Sequence, residues 1–253
     1  MQQLTISYRL FGFIPLRFRR TIPERWEDLT HKQLSAIGSM YLEHVGNNAR
    51  MAALIYTLPL FVAKKLSDFH LYKLLARLSF LSDFKPHSSF FIKKLKGYSS
   101  PRPRLENMSF GQFIFADTYF INYANTKDPI LLAKMIAALY APPGKPFCEG
   151  DIKERAKQMQ TLPMATQQAV FINYRLIKEW LTQAYPLVFV KPYEPDEDTK
   201  KVEKKSTQNT GDWLKVFDNI VGDDIVNTDK YAIMPAHTVF RFITRKIKEN
   251  AKH

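Results

Sequence analysis

The chain has 253 residues, 45% of them hydrophobic and 13% aromatic, but only 9 glycines. That length allows one large domain or a main domain with an appendage. So little glycine argues against a many-stranded sandwich or barrel, which uses it for tight turns. The net charge of +13 and pI near 9.7 fit an acidic partner, whether nucleic acid, an anionic surface or a protein, and equally fit a field that only keeps the chain soluble. Cys148 is the single cysteine, which excludes an intrachain disulfide and a thiolate cluster.

Met1 to Phe18 does not read as a signal peptide, because Arg9 interrupts the apolar stretch and no basic region precedes it. Apolar runs stay short of the roughly 18 residues that a spanning helix needs. Ile6, Tyr8 and Leu10 alternate with Ser7 and Arg9, and Leu16 and Phe18 resume the alternation after Gly12 and Pro15. Period two predicts two short strands, the natural pairing being a hairpin whose edge carries Arg17, Arg19 and Arg20.

Helical signals follow. Thr30 and Gln33 are spaced as a capping box, and Leu34, Ile37, Tyr41 and Val45 continue at helical spacing up to Gly46. A second helix is predicted from Asn48 to before Pro59, and a third is capped by Ser67 or Asp68, with Leu71, Leu74, Leu75 and Leu78 on one face.

Residues 85–107 break this rhythm. Phe90 to Leu95 is β-prone, Gly97 and Pro101 are turn residues, and Arg102 to Leu105 is the predicted partner strand. Lys85, Lys93, Lys94, Lys96, Arg102 and Arg104 face only Glu106 in charge, and Phe90, Phe91 and Tyr98 lie among them. Nucleic-acid loops use this mixture for phosphate pairing and base stacking. A small hairpin with its Phe residues packed inward and its Lys residues facing water is the favoured explanation, because no recognition motif accompanies the charge.

Ser109 and Gln112 form a second capping box before an aromatic helix containing Phe113, Phe120 and Ile121. Asp117 sits in that helix, and a buried carboxylate there needs a partner. Asp128-Pro129 sets a cap with proline at the first helical position, and the nearly all-apolar Ile130 to Tyr140 predicts a central buried helix. Asp151 and Glu154 repeat the capping spacing for a helix up to Leu162, and Pro163 opens a long helix that Pro186 closes.

The predicted organisation is a main helical domain over 1–191 with strands near 4–18 and 90–105, a flexible charged linker over 192–211, and a C-terminal helical tail over 212–253. The linker lacks the apolar side chains that would offset the entropy of ordering. In the tail, Trp213, Leu214, Phe217 and Ile220 make one amphipathic helix; Val239, Phe240, Ile243 and Ile247 make another, flanked by Arg241, Arg245, Lys246 and Lys248. About forty residues fold poorly alone, so the tail must dock on the main domain or on a partner.

Little in the sequence points to catalysis. Gly144-Lys145 has Leu139 and Pro146 where a phosphate loop needs glycine and Ser or Thr. Histidines 31, 44, 70, 87, 237 and 253 lack zinc-site spacing, and His70 and His237 read as packing or surface residues. Cys148, Glu149 and Asp151 are the one compact group of soft and hard ligands, and nothing adjacent would activate the thiol. Asp223, Asp224 and Asp229 lack the alternation of a calcium loop. No catalytic residue, cofactor site or metal site is assigned.

Three phrases carry a resemblance: Pro23-Glu24-Arg25-Trp26-Glu27-Asp28-Leu29-Thr30 with Gln33-Leu34, Ser109-Phe110-Gly111-Gln112-Phe113 with Ala116-Asp117, and Glu154-Arg155-Ala156 with Leu162-Pro163. Together with the Trp213 helix and the basic tail, they resemble phage and prophage proteins encoded near the tail tube and tape-measure genes. The resemblance implies a non-enzymatic, helical tail-assembly factor, a chaperone or minor structural protein that binds tube or tape-measure subunits. It implies the cytoplasm of a bacterial host, with association with the virion left open. Trp213, Phe217, Phe240 and Ile243 are the expected partner-binding residues. The alternative is a nucleic-acid-binding protein that uses 85–104, with Lys93, Lys94, Lys96, Arg102 and Arg104 as its contacts.

Overall fold

The computed structural model describes residues 3–10, 13–43, 48–82, 85–189, 213–222 and 224–251. The fold is mainly α with two small antiparallel hairpins. The chain divides into two compact units, one of residues 1–85 with 162–173 and the other of 86–161 with 174–253. The hairpin turn at Gly12, the helix stop at Val45 and Gly46, His44, Asp223, His253 and the linker 192–211 fall outside the described residues.

In the first unit, β1 (Gln3–Leu10) pairs antiparallel with β2 (Ile14–Thr21), with Ile6 opposite Phe18 and Ser7 opposite Arg17. Period-two alternation therefore turns Leu4, Ile6 and Tyr8 to one face and Thr5, Ser7 and Arg9 to the other. Helices α1 (His31–Glu43), α2 (Asn48–Ile55), α3 (Leu60–Ala63) and α4 (Asp68–Ala76) follow. The short α3 goes unpredicted, since four residues are too few to show a period.

The capping box closes in full. The Thr30 amide donates to Gln33 Oε1 at 2.8 Å, and the Gln33 amide donates to Thr30 Oγ1 at 3.3 Å. Ser67 caps α4 by accepting from the His70 amide. Ile22, Ile37, Ala52, Ile55, Tyr56, Val62 and Ala63 form the buried centre of this unit. Trp26 packs edge-on against Phe80 at 6.0 Å. Arg20 turns inward and donates to the carbonyls of Tyr56 and Thr57, beyond the end of α2.

Tyr56 gives a pH prediction. Its hydroxyl donates to the Leu74 carbonyl at 2.7 Å, and burial pushes the phenol up to about 12, slightly opposed by Arg77. A phenol in the unfolded chain ionises near 10. Stability is therefore complete below pH 10 and falls between 10 and 12, where only the unfolded chain releases the proton. Tyr140 and Tyr174, also raised by burial, act with the same sign. Urea titrations of Tyr56→Phe should show a loss of about 1 kcal/mol at neutral pH from the missing hydrogen bond, and a shallower decline between pH 10 and 12. An unchanged alkaline slope would remove Tyr56 from this account.

In the second unit, β3 (Lys94–Leu95) and β4 (Tyr98–Ser99) make a short hairpin closed by Lys96 and Gly97, both at positive φ. Helices α5 (Phe110–Thr126), α6 (Pro129–Leu139) and α7 (Ile152–Gln160) pack in succession. Leu132, Ala133 and Met135 to Leu139 of α6 are fully buried, matching the central helix that the sequence predicts. The Asp128 carboxylate accepts from the Ile130 amide at 2.8 Å, with Pro129 at the first helical position.

Two predicted caps differ. Ser109 Oγ accepts from the Gln112 backbone amide at 3.2 Å as expected, but the Gln112 side chain does not return to Ser109 and donates instead to the carbonyls of Ala138 and Leu139, covering the end of α6. Asp151 makes no side-chain cap, because a 3-10 turn over Glu149–Asp151 leads into α7, and Glu154 pairs with Lys157.

Helix α8 (Met164–Ala184) begins after Pro163 and places 164–173 in the first unit and the rest in the second. Helices α9 (Trp213–Val221), α10 (Thr228–Ile233) and α11 (Ala236–Asn250) belong to the second unit, all three against α5. The Phe110 amide donates to the Met234 carbonyl at 2.7 Å, and the Ala236 amide to the Met108 carbonyl at 3.0 Å. The tail therefore docks on the body of this unit and completes its core. No helix among the described residues is long and apolar enough to cross a membrane.

Candidate functional site

Asp117 engages three side chains of the second unit. Helix α5 places it at 0% exposure, where an unpaired carboxylate would be costly. It accepts from the Trp213 indole at 2.6 Å and the Tyr174 hydroxyl at 3.2 Å, and pairs with the Lys178 ammonium at 2.7 Å. Burial, and then the Asp117 charge and hydrogen bond, hold the Tyr174 phenol well above its usual range. With three donors satisfied and no solvent access, this carboxylate joins α5, α8 and α9 and does not serve as a general base.

The same cluster corrects the expected partner-binding set. Trp213 and Phe240 lie within the aromatic core, with Trp213 4.9 Å and Phe240 4.9 Å from the Phe113 ring and Phe189 close to both. They are 4% and 0% exposed, so neither can meet a partner. Their amphipathic helices turn those rings onto the apolar face of α5, against Phe110 and Phe113. Phe217 and Ile243 remain half-buried.

The basic segment is partly as expected. Phe90, Ile92 and Leu95 pack inward, while Lys93, Lys94, Lys96, Arg102 and Arg104 are exposed. The strand predicted over Arg102 to Leu105 is instead a 3-10 turn over Pro103–Leu105, because Pro101 and Pro103 cannot donate to a ladder. β4 takes the pairing place, and Ser99 bridges to Ala141.

Arg104 and Leu105 both hold φ near +60°, a strained conformation for side-chain-bearing residues. Full burial of Leu105 and a hydrogen bond from His237 Nε2 to the Arg104 carbonyl hold them there. The Tyr185 hydroxyl donates to His237 Nδ1 at 2.7 Å, so His237 acts as a packing residue that ties α11 to this turn.

Two open clefts flank α6 and α7. One of about 490 Å³ is lined by Arg102, Glu106, Asn107, Gln112 and the loop Ala141 to Phe147. The other, of about 640 Å³, is lined by Tyr119, Lys134, Lys153 and Lys157. Neither brings a nucleophile to a base. Cys148 is exposed, and among the described residues no three His, Cys, Asp or Glu side chains converge as a metal site.

Arg155 is the residue that sequence reasoning passes over. It is 3% exposed, its Nη2 reaches the Cys148 carbonyl at 3.4 Å, and its Nε and Nη1 have no hydrogen-bond partner among the described residues. Its place beside Ile152, Ala156 and Met159 on the buried stripe of α7 was the available signal.

Comparison of the chain with protein-family models, with curated proteins and with solved structures finds no match.

Proposed function

We propose that the chain is a non-enzymatic assembly factor of a phage tail, binding a helix of the tape-measure or tube protein through the distal half of α11. One observation carries this reading. The apolar stripe of α11 is covered at Ala236, Val239 and Phe240 but continues past its cover to Ile243 and Ile247, the last 38% exposed. Phe242 beside it is 36% exposed, within 5.5 Å of the Arg245 guanidinium and 5.9 Å of the Lys246 ammonium. A half-covered apolar stripe with a cationic rim fits an amphipathic helix with an acidic rim. Glu249 is the only acidic side chain of α11.

Co-expression with tape-measure and tube subunits tests this. The wild-type chain should co-purify with one of them at low salt. Phe242→Asp/Ile247→Asp, at two exposed positions, should weaken recovery about 30-fold, the loss typical of a central interface residue, with the melting curve unchanged. Failure of the wild-type chain to retain either subunit would end the reading.

A second reading, nucleic-acid binding by 85–104, draws support from the exposure of Lys93, Lys94, Lys96, Arg102 and Arg104, none in an ion pair among the described residues. Lys93→Glu/Lys94→Glu/Lys96→Glu should then abolish the binding.

A further inference from the structure

We infer that the outer face of the β1–β2 ribbon is a docking surface for the phosphate backbone of duplex DNA. The inference rests on neither reading above, since it concerns the first unit and a separate set of cations. Residues 1–23 contain four arginines and no acidic side chain. The pairing register sorts those arginines. Arg20 shares the inner face with Phe18 and Leu16 and is engaged by the Tyr56 and Thr57 carbonyls. Arg9, Arg17 and Arg19 are all exposed on the other face, with Thr5 and Ser7 between them.

None of these three guanidinium groups is in an ion pair among the described residues. Arg17 and Arg19 are two strand positions apart, about 6.8 Å, and Arg9, opposite Pro15, is the diagonal neighbour of Arg17. Like charges at such spacing repel one another, and an anionic partner relieves the repulsion.

The chemistry favours phosphate over carboxylate-bearing protein. All three cations are arginine, whose planar fork grips phosphate oxygens in pairs, and their row matches a regular line of charge. The small hydroxyls of Thr5 and Ser7 are further phosphate donors, as backbone-positioning contacts in such complexes commonly are. A two-stranded ribbon fits the major groove of B-form DNA, whereas the deep, narrow major groove of an RNA duplex excludes it.

Fluorescence anisotropy of the full chain with a labelled random-sequence duplex of about 20 base pairs tests the inference. The wild-type chain should bind, and binding should weaken as salt rises from about 50 to about 200 mM. Arg9→Gln/Arg17→Gln/Arg19→Gln should bind more weakly and lose about 40-fold less over that range, the share of three phosphate contacts. Arg9→Lys/Arg17→Lys/Arg19→Lys should keep the wild-type salt slope. All three positions are exposed, and an unchanged circular dichroism melt certifies the fold.

A triple Gln variant with the wild-type slope would overturn the inference. So would equally tight binding of poly-glutamate, which would mark an acidic protein partner. Loss of binding in Lys93→Glu/Lys94→Glu/Lys96→Glu alone, with the arginine variants unaffected, would also overturn it and leave the second reading standing.

Discussion

Gly38→Ala is expected to destabilise the first unit by about 3 kcal/mol, although helix propensity alone gives the opposite sign. Gly38 lies inside α1, where alanine normally gains about 1 kcal/mol over glycine. A Cβ at this position would stand 2.1 Å from the Ala165 carbonyl oxygen and 3.0 Å from the Ala169 amide nitrogen, both backbone atoms of α8. Backbone cannot swing aside as a side chain can, so the helices must separate and lose contact along their whole crossing. Overpacking of this kind costs about 1–3 kcal/mol and sometimes more. Gly150→Ala is the matched control, because a Cβ there meets only the Cys148 sulfur at 3.8 Å. Urea titration should show Gly38→Ala well below wild type and Gly150→Ala within about 0.5 kcal/mol. A Gly38→Ala protein as stable as wild type would mean that α1 and α8 do not approach this closely.

Asp117→Ala should be at least as damaging to the second unit, by about 3–5 kcal/mol. The substitution leaves the Lys178 ammonium, the Trp213 indole N–H and the Tyr174 hydroxyl without their shared acceptor, and Trp213 and Tyr174 are too deeply buried for water to replace it. Asp117→Asn keeps an acceptor and the volume but loses the charge, and should fall between wild type and Asp117→Ala. Asp117→Leu/Lys178→Met should recover only part of the loss, because removing both charges ends the charge imbalance while Trp213 and Tyr174 stay unpaired. The local readout is Trp213, which anchors α9: its emission should shift to the red, and residues 213–251 should become sensitive to protease while the first unit stays intact. Equal stabilities for the three single and double variants would show that Asp117 contributes no more than its volume.

The sequence by itself determined what depends on neighbours within four or five positions. Alternation at Ile6, Tyr8, Leu16 and Phe18 specified the hairpin, and the Thr30–Gln33, Ser67 and Asp128-Pro129 signals specified where α1, α4 and α6 begin. The unbroken apolar run of α6 specified a central helix. These signals are legible because hydrogen bonds and side-chain period within one element are written in consecutive residues.

Tertiary structure alone decided the rest. The partners of Asp117 lie 57, 61 and 96 residues away, and no local pattern distinguishes Trp213 as a core anchor from Trp213 as a docking residue. Gln112 has the spacing of a capping box, yet its side-chain amide is drawn to carbonyls 26 and 27 residues on, because the buried end of α6 leaves carbonyls that need donors. Likewise Arg17 and Arg20 look alike in the sequence. Only the strand register sends Arg20 to the carbonyls beyond α2 and leaves Arg9, Arg17 and Arg19 together on the open face. Long-range pairing is chosen by which surfaces can be buried together, and that choice is made by the whole fold.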